Sequence, residues 1–451
     1  MSFRSKTIFF ILQLLCLKFS AQQWYPVPNN SHNYYPVSLG TYNNKLFAGG
    51  DFTQIGGSSA TRVAGYGGNW IAMQSGANGG YPEAFAVYNG RLYAAGFFTN
   101  MASVPLSNSI ACWDGSQWFG AGNFTYTGHV YSLCVYNGEL YAGGNFTQMG
   151  GVPCNRIAKW NGTSWSAVGG GVTGGISRVE AMTVYNGKLY VGGSFNWAGG
   201  NPAWYIASWN GIQWDSVGNG MNGPVEALIT DTINNCLYAA GGYSQAGTLT
   251  SLGISKWDGV NWTPVGNGLD TLWGTKVLGL YNNELYGGGG NYTVTQYGDT
   301  LRNFYKFNGS KWISAGDLNG SLEAIQVFSG NLYIAGSFTQ IDTSAIRYIA
   351  CMGPNCLTVG LEDPEIKTGK VNPVFPNPGS EKIYIPCLLP ANCGGWIKIY
   401  DTTGKLKAKV LAGEGKQSAE IDVSDWNQGL YFYVLEVDGV DVERGKMSVV
   451  R

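Results

Sequence analysis

The sequence predicts an all-β chain, a seven-bladed β-propeller followed by a small C-terminal β-sandwich, and three observations carry that prediction. A segment of about 48 residues recurs seven times. The composition, with 68 Gly in 451 residues, 14% aromatic and only 12% charged residues, suits short strands joined by tight turns. Beyond about residue 365 the repeat stops, and alternating apolar runs separated by turn residues take over.

In chain order, Arg4 and Lys6 precede an apolar run over residues 8–17, and Phe19-Ser20-Ala21 offers a small-residue cleavage site. Residues 1–21 therefore read as a signal peptide, its apolar run being too short to cross a bilayer. No other segment reaches 18 uninterrupted apolar residues, so no transmembrane span is expected. Export permits disulfides. Cys351 with Cys356 and Cys387 with Cys393 are the close pairs that can form them, whereas Cys112, Cys134, Cys154 and Cys236 sit on or beside strands as small hydrophobes. Lys plus Arg (27) balances Asp plus Glu (28), which leaves no basic field for nucleic acid.

The repeat spans residues 22–360. Its clearest copy is Tyr185-Asn-Gly-Lys-Leu-Tyr-Val-Gly-Gly, and the equivalent leucines are Leu46, Leu92, Leu140, Leu189, Leu237, Leu285 and Leu332. Within one copy the pattern reads as strand a over 179–185, an Asn-Gly hairpin turn, strand b over 188–195, strand c over 205–209 and strand d over 213–217. Four short strands in a period of 40–50 residues are the signature of a propeller blade. A Trp-x-Gly-x-x-Trp motif joins c to d, pairing Trp113 with Trp118, Trp160 with Trp165, Trp209 with Trp214 and Trp257 with Trp262. One Trp per blade at a fixed place is packing between sheets. The seventh copy lacks it, while Gln23-Trp24-Tyr25-Pro26-Val27 resembles Gln213-Trp214-Asp215-Ser216-Val217. Residues 24–27 are thus expected as the outer strand of the last blade, closing the ring.

The hydrophobic-Gly-Gly ending of strand b and the later Trp make these blades resemble the kelch and galactose-oxidase type of propeller. That resemblance implies a fold, but not oxidase chemistry. Copper in those enzymes needs histidines, and this chain has only His32 and His129. No metal or other cofactor is expected.

Residues 361–371 read as a charged linker, and residues 372–451 as a separate domain. Phe375-Pro376-Asn377-Pro378, Ile399-Tyr400-Asp401 with Gly404-Lys405, Ile421-Asp422-Val423-Ser424 and Gly429-Leu430-Tyr431-Phe432 follow in that order before a terminal strand. The series resembles the type A C-terminal sorting domain of the type IX secretion system. The resemblance implies export across the outer membrane of a Bacteroidota bacterium, the secretion machinery as a partner, and a secreted or outer-membrane-surface location.

Function is expected on the propeller face that carries the longer, varied b–c and d–a loops. Trp197, Trp204, Trp273, Tyr126, Tyr292 and Tyr297 fall in those loops outside the repeating aromatic positions, where they suit stacking on sugar rings. Glu83, Glu180, Glu226 and Glu323 share one repeat position at the start of strand a, the innermost strand, with Val37, Tyr131 and Lys276 at the matching places. Such carboxylates would ring the channel mouth. The leading expectation is a non-enzymatic module binding a carbohydrate or protein. The alternatives are an extracellular polysaccharide hydrolase or lyase using two of the carboxylates, and a structural or adhesive surface component.

Overall fold

The computed structural model describes residues 23–27, 31–121, 128–266, 268–270, 275–295, 300–354, 356, 380–386, 395–401, 405–412, 418–437 and 440–450. The signal segment, the linker and the Cys387 and Cys393 pair lie outside them. The chain divides into two compact units, Met1–Gly360 and Leu361–Arg451.

In the first unit each repeat folds as one antiparallel sheet, and the described residues hold seven such sheets, six of four strands and one of five. The innermost strands are Pro36–Tyr42, Tyr81–Tyr88, Val130–Tyr136, Val179–Tyr185, Val225–Asp231, Val277–Tyr281 and Leu322–Phe328. Each touches the next in chain order, and the last touches the first, so the sheets form a closed ring. The N-terminal strand Tyr25–Pro26 completes the last sheet, with Tyr25 opposite Cys351 and Pro26 opposite Ala350. A disulfide joins Cys351 to Cys356 at that seam. Cys112, Cys154 and Cys236 are free and buried, and Cys134 is free and half-buried.

Local chemistry explains the repeat. The a–b turns place Asn89 and Gly90 at φ 47° and 70°, and Asn186 and Gly187 at 46° and 69°, the left-handed pair that matches strand twist in a two-residue hairpin. In the c–d turns a single side-chain oxygen from Asp114, Asn161, Asn210, Asp258 or Asn308 accepts two backbone N–H groups. This is the Asx geometry that favours those residues in turns. The strand-d tryptophans tie each sheet to its predecessor. Trp118, Trp165, Trp214, Trp262 and Trp312 donate Nε1–H to the carbonyls of Met73, Ala121, Val168, Val217 and Val265 at 2.7–3.3 Å. Trp24 makes the same bond to Ala315 at 2.9 Å, so the N-terminal strand supplies the sheet contact that the seventh repeat lacks. The series breaks once, at Trp70, whose Nε1 is buried without a partner.

Four strand limits differ from the sequence reading, two of them at strand d, which runs over Trp214–Ser216. Strand b of the fourth sheet ends at Gly193 and strand c begins at Ile206. Tyr205 precedes the strand because its φ is 64°, and Arg62, Ser109, Arg156, Asn303 and Tyr348 hold the same left-handed conformation in their repeats. The b–c connections are also less irregular than expected. Trp197–Ala198 pairs with Asn201–Pro202, and Tyr292, Thr293 and Val294 pair with Arg302, Leu301 and Thr300.

In the second unit, strands Leu406–Ala412, Gly395–Asp401, Gly429–Val437 and Val440–Val449 form one sheet, and Lys382–Pro386 pairs with Ser418–Asp422 in another. Ile383, Ile385 and Ile421 pack with Ile397, Ile399, Tyr431, Tyr433, Leu435, Met447 and Val449 in one core.

Candidate functional site at the channel mouth

The four glutamates share a backbone feature that residue type does not reveal. On six inner strands the pairing register skips one residue near the start, and the skipped residues are Val37, Glu83, Tyr131, Glu180, Glu226 and Glu323. In the remaining sheet Lys276 holds the matching place and donates its backbone N–H to Gly288. A β-bulge leaves its extra residue unpaired and re-aims its side chain, so one residue on each of these six strands turns toward the ring axis at the face of the b–c and d–a loops. Two largely apolar tiers follow down the inner strands. The first is Leu39, Phe85, Leu133, Met182, Leu228, Leu278 and Ile325, and the second is Thr41, Val87, Val135, Val184, Thr230, Leu280 and Val327.

One glycine at the end of strand b makes room for the bulge. A Cβ on Gly96, Gly144, Gly193, Gly241 or Gly336 would lie 1.9–2.3 Å from the carbonyl oxygen of Tyr81, His129, Arg178, Pro224 or Ser321. No side chain fits against backbone at that distance, so the position requires glycine even where φ is ordinary.

Charge at the mouth is mixed. Arg178 Nε lies against Glu180 Oε1, and Ser321 donates its hydroxyl to Glu323. Burial, then the nearby Glu180 charge, pushes the Glu83 carboxyl up to about 7. Burial and Glu180 do the same to Glu226, also to about 7, against the opposing pull of Lys276 and Arg178. Glu180 is raised by burial, with Arg178 working against the rise. Glu226 Oε2 is buried without a hydrogen-bond partner. His129 stacks on Phe97 with ring centroids 4.2 Å apart and places Nδ1 3.7 Å from Glu83 Oε1. Burial lowers its pKa, so at neutral pH this contact is dipolar rather than ionic. Tyr35, Tyr81 and Tyr131 complete the surround, each phenol raised chiefly by burial.

These shifts predict a pH dependence. A carboxyl whose folded pKa lies above its unfolded value penalises the folded state as it ionises, so stability is full below about 4.5 and falls as pH rises toward 7. The Glu83→Gln, Glu226→Gln double variant is expected to flatten that fall and to melt above the wild type at pH 8. Equal melting curves across pH 5 to 8 would refute the assignment.

Trp197 and Trp204 are 44% and 52% exposed, on the face onto which the mouth opens. Trp197 lies in the small b–c hairpin, and the Trp204 carbonyl accepts the backbone N–H of Met221 in the following d–a loop. Tyr292 lies on strand Glu284–Thr295, and Trp273, Tyr126 and Tyr297 lie outside the described residues. The same face carries a groove of about 440 Å³ lined by Arg302, Asp317, Asn319, Gln340, Asp342 and Thr343. A cavity of about 500 Å³ opens on the opposite face among Thr41, Tyr42, Val87, Val327 and Phe328, away from the titratable cluster. Among the described residues no group of three or more His, Cys, Asp or Glu is placed to hold a metal ion.

Sequence reasoning missed Arg178 and the Phe97–His129 stack as parts of the mouth. It also missed a repeated Phe-Thr-Gln or Phe-Thr-Asn at the b–c turns, at Phe52, Phe98, Phe146 and Phe338. Asn33, Asn222 and Asn319 of the d–a loops each accept the two backbone N–H groups at this turn. Trp197 stands where Gln54, Gln148 and Gln340 stand in other repeats, a register that was available as a signal of its outward placement.

The fold and this mouth define an exported β-propeller. Residues 373–447 match the secretion system C-terminal sorting domain, and residues 126–284 match the Rax2 C-terminal β-propeller domain. The type IX sorting tail directs the chain to the cell surface or beyond it, and among the described residues no helix is long and apolar enough to cross a membrane. No curated protein gives a significant match. Among solved structures, one described as that of YjhT is similar over 60% of this chain and 97% of its own, at 13% identity and TM-score 0.37. A glycoside hydrolase family 32 structure from Bifidobacterium adolescentis is similar over 92% of this chain and 75% of its own, at 9% identity and TM-score 0.25.

Proposed function

We propose that the chain is a non-enzymatic binding module, a seven-bladed propeller exported from a Bacteroidota cell with residues 1–21 as its signal peptide, which holds an extracellular carbohydrate or protein at the mouth face. The observation that carries this reading is the pair Trp197 and Trp204, two large aromatics half-exposed on the face where the bulged residues converge. Water-facing indoles cost the free protein apolar exposure and recover it when a sugar ring or an apolar side chain stacks on them. Carbohydrate is the favoured ligand, because half-buried carboxylates and phenols beside aromatic platforms offer the hydrogen-bond partners that sugar hydroxyls need.

The raised Glu83 and Glu226 carboxyls favour one second reading, an extracellular polysaccharide hydrolase or lyase. A carboxyl that stays protonated near neutral pH can serve as a general acid while another remains ionised. Both readings are tested by a glycan-array screen of the purified full chain, with product analysis on every glycan bound. The Trp197→Ala, Trp204→Ala, Trp273→Ala variant is expected to melt as the wild type does and to bind at least tenfold more weakly. Binding without product supports the module, and cleavage lost in Glu83→Gln or Glu226→Gln supports the enzyme. No glycan bound overturns the carbohydrate reading in favour of protein adhesion or a structural role.

A further inference from the structure

We propose that the carbohydrate held at the mouth is an amino sugar bearing a free ammonium group, seated on an arc of aromatic rings over the first three sheets. This inference rests on the carbohydrate reading above and narrows it to one class of sugar. The arc follows from one repeat position. Tyr35, Tyr81 and His129 each stand two residues before the skipped register position. A Cβ on Gly50, Gly96 or Gly144 would meet their carbonyl oxygens at 1.9–2.6 Å, so the same close backbone approach fixes all three. The fourth sheet puts Arg178 at this position, and the fifth and seventh put Pro224 and Ser321 there, so the aromatic run covers consecutive sheets and then stops. Two further rings widen it. Tyr34 is 45% exposed and stacks on Tyr35 with centroids 4.6 Å apart, and Phe97, 38% exposed, backs the His129 ring. Half-exposed aromatic faces set side by side suit the apolar face of a pyranose ring. An arc spread over three sheets suits successive rings of a sugar chain better than a single alkyl side chain.

The charges on this side of the mouth choose the substituent. Burial and then the Glu83, Asp51, Tyr34 and Glu323 groups raise the Tyr81 phenol, which places Tyr81 in the field of both glutamates. Asp51 is tied to Arg62 at 2.8 Å. Among the described residues no Lys or Arg pairs with Glu83 or Glu323. Glu83 faces His129, which is neutral at neutral pH, and Glu323 accepts the Ser321 hydroxyl. The cations of the mouth lie on its other side, Arg178 against Glu180 and Lys276 in the field of Glu180 and Glu226. Aromatic faces attract a cation through the ring quadrupole, and carboxylates beside them supply the counter-charge and the strong hydrogen bonds that an ammonium group needs. An anionic sugar meets the same carboxylates as repulsion, and an N-acetylated one leaves them without a counter-charge.

The test is calorimetric binding of the purified full chain, at neutral pH, to glucosamine oligomers and to N-acetylglucosamine oligomers of equal length. The free amine is expected to bind about tenfold or more tightly than the acetylated form. Glu83→Gln with Glu323→Gln should bring the two oligomers to similar affinity, whereas Tyr34→Ala should weaken both. Asp114→Asn with Asp258→Asn removes the same charge from the opposite face, at turns where Asn161, Asn210 and Asn308 already serve, and should leave the preference unchanged. Thermal melting of each variant controls for folding. Equal affinity for the two oligomers, a preference that survives in the glutamine pair, or binding confined to other glycans overturns this inference while the carbohydrate reading stands. Failure of every glycan on the array removes both. A lysine-rich peptide that binds more tightly than the glucosamine oligomer, and loses that binding in the glutamine pair, also overturns it, because the occupant would then be a protein.

Discussion

Trp24→Ala is expected to destabilise the propeller by about 3–5 kcal/mol, the range for removing a large aromatic from a well-packed site, read as a lower denaturant midpoint of the full chain. Trp24 is 7% exposed, meets Phe304 edge-on at 5.5 Å and donates Nε1–H to Ala315. Its strand holds only two register pairs with its neighbour. Among the described residues the other anchors are Val27, buried in the core shared with Leu46 and Ile349, and the partly buried Tyr25, so loss of the indole should loosen the strand and expose part of the edge of strand Ile349–Met352. Trp165→Ala removes an equivalent indole from the middle of the ring, where strand Trp165–Ala167 keeps three register pairs and continuous chain on both sides. It should cost a similar amount at equilibrium, yet unfold more slowly than the seam variant. Trp70 supplies the internal comparison. Its Nε1 has no acceptor, so Trp70→Phe loses volume but no hydrogen bond, and should be milder than Trp165→Phe by about 1 kcal/mol, the net worth of one such bond. Equal losses at the two sites would show that the sheet-to-sheet bonds contribute nothing measurable.

The ring and its tryptophans were legible because each depends on residue types that recur at one spacing. Leu at the centre of strand b, Asn-Gly at a turn that requires positive φ, and Trp at the sheet contact all have few substitutes, so physical need shows as repetition. The strand supplied by residues 24–27 was legible for the same reason, since Gln23-Trp24 resembles Gln213-Trp214. The bulges were not. A skipped register position accepts Val37 or Tyr131 as readily as Glu83, because its backbone is left out of the pairing ladder. The partners that set the mouth's electrostatics, Arg178 and His129, come from d–a loops whose length varies between repeats, and no periodic rule brings them to Glu180 and Glu83. The outward placement of Trp197 was within reach through the Phe-Thr-Gln register. The pushed-up Glu83 and Glu226 carboxyls were not, because burial is a property of the assembled ring.

The bulge's one sequence mark is the glycine facing it, and that yields the second large effect. Gly193→Ala would place a Cβ 2.1 Å from the Arg178 carbonyl oxygen and 3.1 Å from Val179 Cα. Both are backbone atoms of the bulged segment, so relief requires strand Val179–Tyr185 to move. Overpacking of this kind costs typically 1–3 kcal/mol and more where backbone must shift, and roughly 3 kcal/mol is expected. Gly187→Ala is the control. That glycine has φ 69° and nothing within 4 Å of its Cβ, so only turn strain is added, at about 1 kcal/mol. The two variants also separate stability from aim. Gly193→Ala moves the residue that presents Glu180, whose charge is among the causes that hold the Glu83 and Glu226 carboxyls high, so their titration, followed by carboxyl NMR, should shift toward the ordinary range. Gly187→Ala leaves the bulge in place and should leave those titrations unchanged. If Gly193→Ala lowers stability while both carboxyls keep their raised values, the bulge is a packing device alone, and the aim of Glu180 is set by its ion pair with Arg178 instead.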